Sequence, residues 1–158
     1  MRGPIVVGVS PTTGSPNALR WAAEEAELRG APLMAVLAWR PPRAPAAPAG
    51  RPSTTALSGA TADHAKIAEE ALHGFVTVAL GRVGKTRCRA VKGTAVTALL
   101  EAASDAQLLV VGEPRAGRLA SVRASLVAPQ VVVKASCPVV AMPGAAVVRS
   151  RNQPHGTD

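Results

Sequence analysis

The feature that most constrains this chain is a series of short apolar runs, each separated from the next by a segment of helical periodicity. Ile5 to Val9 opens the series. It is rich in β-branched residues and lacks polar–apolar alternation, so it reads as a strand covered on both faces, as in parallel sheets. Ser15 then stands where an N-cap belongs, with Pro16 at the first helical position. Leu19, Ala22, Ala23 and Ala26 recur on one face as far as Gly30.

Leu33 to Trp39 is the second run, and Thr86 to Val91 the third, with Cys88 and Ala90 on one of its faces. Gln107 to Val111 and Pro138 to Met142 complete the set. Between them Ile67, Ala71, Phe75 and Val78 mark a helix over about 61–80, weakened by Gly74. Val96, Leu99, Leu100 and Ala103 mark another helix, and about 126–135 a last one. Strands alternating with helices predict an α/β fold, a Rossmann-like open parallel five-stranded sheet with helices on both faces. On such sheets ligands sit beyond the carboxyl ends of the strands at the switch point, which puts the loops after Val9 and Val111 at any site.

With 158 residues the chain fits one domain. Hydrophobic residues make up 47% but aromatics only 2%, so the core must be built from Ala, Val and Leu. The domain reads as 1–144, interrupted by a Pro/Ala-rich loop over 40–60 that cannot pack as a regular element. The polar stretch 145–158 reads as a disordered tail. No apolar run suits a signal peptide or a membrane span, which predicts a cytoplasmic protein with no membrane partner.

The net charge is +8, and after Glu113 the only acidic residue is Asp158, against Arg115, Arg118, Arg123, Lys134, Arg149 and Arg151. Such a bias attracts anions or merely solvates a surface, and by itself names no ligand. Trp21 and Trp39 fall on a helix and at a strand end, which leaves little for base stacking and argues against nucleic acid as a partner. Cys88 and Cys137 lack metal-ligand spacing and read as buried thiols, with no metal site. His64, His73 and His155 are not paired with a carboxylate in a predicted cleft, so no catalytic residue is assigned. Gly81 to Thr86, GRVGKT, imitates the end of a P-loop. It has Ala79 where the first glycine is required, follows a helix and precedes a strand, so it reads as a turn.

Two stretches carry a family resemblance. PIVVGVSPTTGSPNALRWAAEEAELRGAPLMAVLAWRPP resembles the opening of a universal stress protein, and LLVVGEPRAGRLASVRASLVAPQVVVKASCPVVAMP resembles its closing half, including Cys137, Pro138 and Val139 before the last strand. ATP-binding members carry Gly-x-x-Gly, nine residues, then Gly followed by Ser or Thr. The glycines let amides approach phosphate oxygens, and the final pair opens a helix whose N-terminus favours the anion. Laid on this chain, those positions are Gly112, Arg115, Ser125 and Leu126, so only the first is kept. Gly117 is a candidate displaced glycine. The Asp that contacts the nucleoside in ATP-binding members is Ser10 here, and the position near the adenine is Ala38. Pro129 removes an amide near the start of the last helix.

The resemblance thus implies a non-enzymatic stress-response regulatory or interaction domain with a degraded ATP site, binding ATP weakly or not at all and carrying no obligatory cofactor. It implies a homodimer through the last strand, Val139 to Met142, and an unidentified protein partner. The alternative is an adenine-nucleotide sensor that uses the arginines of the 112–124 loop.

Overall fold

The structure, a computed structural model, describes residues 3–13, 15–42, 54–113 and 127–144, with 54–60 by backbone alone. The elements run β1 Ile5–Gly8, α1 Pro16–Arg29, β2 Leu33–Trp39, α2 Thr54–Leu80, β3 Arg87–Lys92, α3 Ala95–Ala102, β4 Leu108–Glu113, α4 Val127–Lys134 and β5 Val139–Pro143. The five strands form one sheet in the order β3-β2-β1-β4-β5, and every neighbouring pair is parallel. This is the α/β, Rossmann-like arrangement expected from the alternation of runs. The chain winds outward from β1 to β2 and β3, then crosses back to β4 and β5, so the switch point lies between β1 and β4.

The central strands explain why their runs do not alternate. Ile5, Val7, Leu33, Ala35, Leu37, Leu108 and Val110 pack beneath α1 and α2. Val6, Val36, Leu109 and Val111 pack on the opposite face against α3 and α4. Each successive side chain of β1 or β4 therefore enters a different core, and both cores demand apolar residues. Small side chains in the helices, Ala18, Ala22 and Ala26 in α1 and Ala98 and Ala102 in α3, bring backbone close to sheet. Gly8 serves the same end, since a Cβ there would stand 3.1 Å from both methyls of Leu99.

Several sequence expectations shift. α2 begins at Thr54 rather than near 61, which removes the last seven residues from the expected 40–60 loop. Thr, Ser and Gly over 54–60 have poor helix propensity, but extending an existing helix needs no new nucleus. The buried stripe of α2 is Ala68, Leu72 and Val76, with Phe75 half-buried, whereas Ile67, Ala71 and Val78 face solvent. The expected face was therefore displaced by one position. Ser15 does occupy the cap position, but it is left-handed (φ 47°, ψ 51°) and its side chain makes no capping bond. Cys88 and Cys137 are half-buried and free, and they pack on opposite faces of the sheet. Burial pushes both thiols upward from 9.0, with the Glu69 carboxylate adding to the effect at Cys88.

Gly81 to Thr86 is a turn between α2 and β3, as expected. Gly81 and Gly84 are left-handed, and Thr86 N–H donates to the Val83 carbonyl at 3.0 Å. Among the described residues no helix is long and apolar enough to cross a membrane. The tail expected over 145–158, which includes His155, lies outside the described residues.

Candidate functional site

The site expected from the switch point is built from the carboxyl ends of β1, β2 and β4. Gly8 pairs with Val36 and Val7 with Val110. Continuing each register by two residues brings Ser10 level with Ala38, and Val9 level with Gly112. Ser10 and Gly112 both lie against Ser15, and Ala38 stands near the carboxyl end of the neighbouring β2. Arg115, Gly117, Ser125 and Leu126 lie outside the described residues.

The loop after β1 closes on itself. Ser10 Oγ accepts from the backbone N–H of Thr12 at 3.2 Å and of Thr13 at 3.4 Å. The Ser10 N–H donates to Ser15 Oγ at 3.1 Å, and Ser15 N–H donates to Thr13 Oγ1 at 3.3 Å. This is the local hydroxyl-to-backbone bonding that lets Ser and Thr build turns in place of regular structure. Its consequence is chemical: the Ser10 oxygen, at the position matched to the nucleoside-contacting Asp, already accepts two bonds within its own loop.

Gly112 is exposed in β4, and its missing side chain is required by packing. A Cβ there would stand 3.2 Å from Ser15 Oγ and 3.3 Å from Ser15 Cβ. The end of β4 can lie against the start of α1 only because position 112 is bare. Ala38 is half-buried on the α3 and α4 side and offers a methyl wall with no polar group.

Glu113 was not singled out from the sequence. It is half-buried beside Gly112, and its carbonyl accepts from Gly144 N–H at 2.7 Å. Alternation along the strand turns its side chain to the face opposite the one on which Gly112 meets Ser15 and Ala18. The signal was present, for Glu113 is the only acidic residue between Asp105 and Asp158. Asn17 Nδ2 donates to the Pro143 carbonyl at 3.4 Å, joining the start of α1 to the end of β5.

Pro129 falls in the first turn of α4, where a missing N–H leaves no intrahelical bond unmade. A hollow of about 410 Å³ lies elsewhere, along α2, lined by Lys66, Glu69, Glu70 and His73. All four belong to one helix, and no second element brings a reactive group to face them among the lining residues. Among the described residues no group of His, Cys, Asp and Glu could hold a metal ion.

The family model described as Universal stress protein family matches residues 1–143. No curated protein matches the chain. Among solved structures, a universal stress protein in complex with cAMP is similar at 23% identity and TM-score 0.60, covering 91% of this chain and 98% of that one. The UspA protein of Lactobacillus plantarum is similar at 17% identity and TM-score 0.59, covering 90% and 99%. A universal stress protein of Archaeoglobus fulgidus is similar at 23% identity and TM-score 0.53, covering 89% and 98%.

Proposed function

The chain belongs to the universal stress protein family, and on that premise we propose that it is a non-enzymatic regulatory domain of the stress response. It acts in the cytoplasm, and its adenine-nucleotide site is degraded so that ATP binds weakly or not at all. The observation that carries this reading is the loop after β1. Ser10 stands in place of the nucleoside-contacting Asp, and its hydroxyl oxygen accepts from Thr12 and Thr13 instead. A carboxylate at that position would offer a charged acceptor, and the neutral hydroxyl offers a weaker one that is already engaged. Arg115, Ser125 and Leu126 depart from the phosphate motif.

Titration calorimetry with ATP, ADP and cyclic AMP tests the reading. The expected outcome for the parent is no heat or a millimolar dissociation constant, about −4 kcal/mol. Arg115→Gly, Ser125→Gly and Leu126→Ser together restore the motif and should tighten ATP binding by about tenfold or more, since each regained charge-assisted contact is worth about 1.5 to 3 kcal/mol. A micromolar, stoichiometric ATP titration of the parent would contradict the proposal.

A second reading is an adenine-nucleotide sensor that holds its ligand with arginines of the 112–124 loop. It is favoured by the cAMP complex of the similar structure and by Arg115, Arg118 and Arg123 in that loop. The two readings separate on the triple variant, which weakens binding if Arg115 is itself the anion contact. For partners, the reading is a homodimer through β5 that presents an assembled surface to another protein. It is supported by the position of β5 at the sheet edge, where β4 is its one strand neighbour among the described residues, with Ala141 exposed.

A further inference from the structure

α2 carries a second apolar stripe that its own core does not use. Ile67 is 61% and Val78 81% exposed, and Ala71 and Gly74 between them are exposed as well. The spacing of these four residues is four, three and four, so they lie on one face of the helix. A Cβ added at Gly74 would meet nothing within 4 Å, so nothing among the described residues requires a glycine there. A glycine inside a helix lowers stability, and that cost is offset where another backbone approaches closely.

The order of the stripe is large, small, small, large, and it reads the same from either end. Its flanks are opposite in charge. Asp63, one turn before Ile67, is exposed, and Arg82, in the turn after α2, is exposed. A helix laid antiparallel on a copy of itself pairs Ile67 with the partner's Val78, Ala71 with the partner's Gly74, and Asp63 with the partner's Arg82. Every contact then occurs twice about a two-fold axis. That is the signature of an isologous interface, in which one patch must complement itself in shape and in charge. A parallel pairing would instead set Asp63 against Asp63 and Arg82 against Arg82.

We propose that this face of α2 is an interaction surface for a second copy of the same chain, docked antiparallel about an axis between Ala71 and Gly74. The bulky residues at the two ends fill the space that the small residues in the middle leave, and the two charge pairs fix direction and register. The surface is separate from β5, so the inference stands whether or not the last strand pairs. If both contacts form, two different two-fold axes assemble tetramers or chains of copies rather than dimers.

Sedimentation equilibrium of the full chain and its variants tests this. Asp63→Arg alone and Arg82→Asp alone should each weaken self-association about tenfold, because each places like charges across both symmetric pairs. The double variant Asp63→Arg/Arg82→Asp should restore it to within about threefold of the parent, a recovery that a folding defect would not give. Val78→Glu should weaken association with an unchanged far-ultraviolet dichroism spectrum. Ala141→Lys on β5 reports the other contact independently and should leave the response to charge reversal intact. A parent that stays monomeric, single reversals without effect, or a double variant that is not restored would each overturn the α2 contact.

Discussion

Gly112 matches the first glycine of the family's phosphate motif, yet this chain needs a glycine there for a reason unrelated to phosphate. A methyl group at 112 would meet both Ser15 Oγ and Ser15 Cβ. Ser15 has little freedom to move away, because its oxygen holds the Ser10 N–H and its carbonyl accepts from Leu19 N–H at 3.0 Å. Gly112→Ala should therefore cost about 1 to 3 kcal/mol, the usual range for an overpacked contact, measured by urea unfolding. If the site is degraded as proposed, the same substitution should leave nucleotide affinity unchanged within error. A neutral effect on stability would show that the strand end and the helix start are looser than the geometry implies. The retained glycine is thus no argument for a retained ligand.

Packing contrasts of the same kind divide α2. Leu72 is fully buried against the sheet, while Val78 lies on the outer stripe. Leu72→Ala should cost about 2 to 5 kcal/mol of stability, and Val78→Ala about 0.5 kcal/mol or less when measured below the concentration at which copies associate. Equal effects would mean that the buried face is misassigned. This helix also shows where sequence reading stopped. The strands were legible because unalternated Ile, Val and Leu runs have few other uses, and α1 was legible from Pro16 at its start and the left-handed Gly30 at its end. In α2 two apolar stripes lie side by side, and periodicity reports that a stripe exists without saying which one meets the sheet. Ile67 was favoured over Ala68, but the stripe that meets the sheet runs through Ala68, Leu72 and Val76. At the site, the strand pattern located the loops after Val9 and Val111, and the family resemblance supplied Ser10, Ala38 and Gly112. The internal bonding of the loop could not be read, because hydroxyl-to-amide bonds leave no periodic trace.

For the whole molecule, the winding of the sheet fixes what is available to a ligand or a partner. The crossover between β1 and β4 gathers the functional loops at one end of the sheet, and the strand order leaves β3 and β5 as its two edges. Apolar residues that the two cores do not need, Ile67 and Val78 on α2 and Val132 and Val133 on α4, remain on the surface. The excess positive charge makes weak anion contacts salt-dependent. The central claim, that a family fold persists here without its ligand, is tested most directly by purifying the full chain under native conditions. After denaturation and removal of the protein, the supernatant is assayed for adenine nucleotide by absorbance and chromatography. The account predicts less than about a tenth of an equivalent per chain, as follows from a millimolar affinity diluted through purification. Recovery of close to one equivalent of ATP, ADP or cyclic AMP would contradict it.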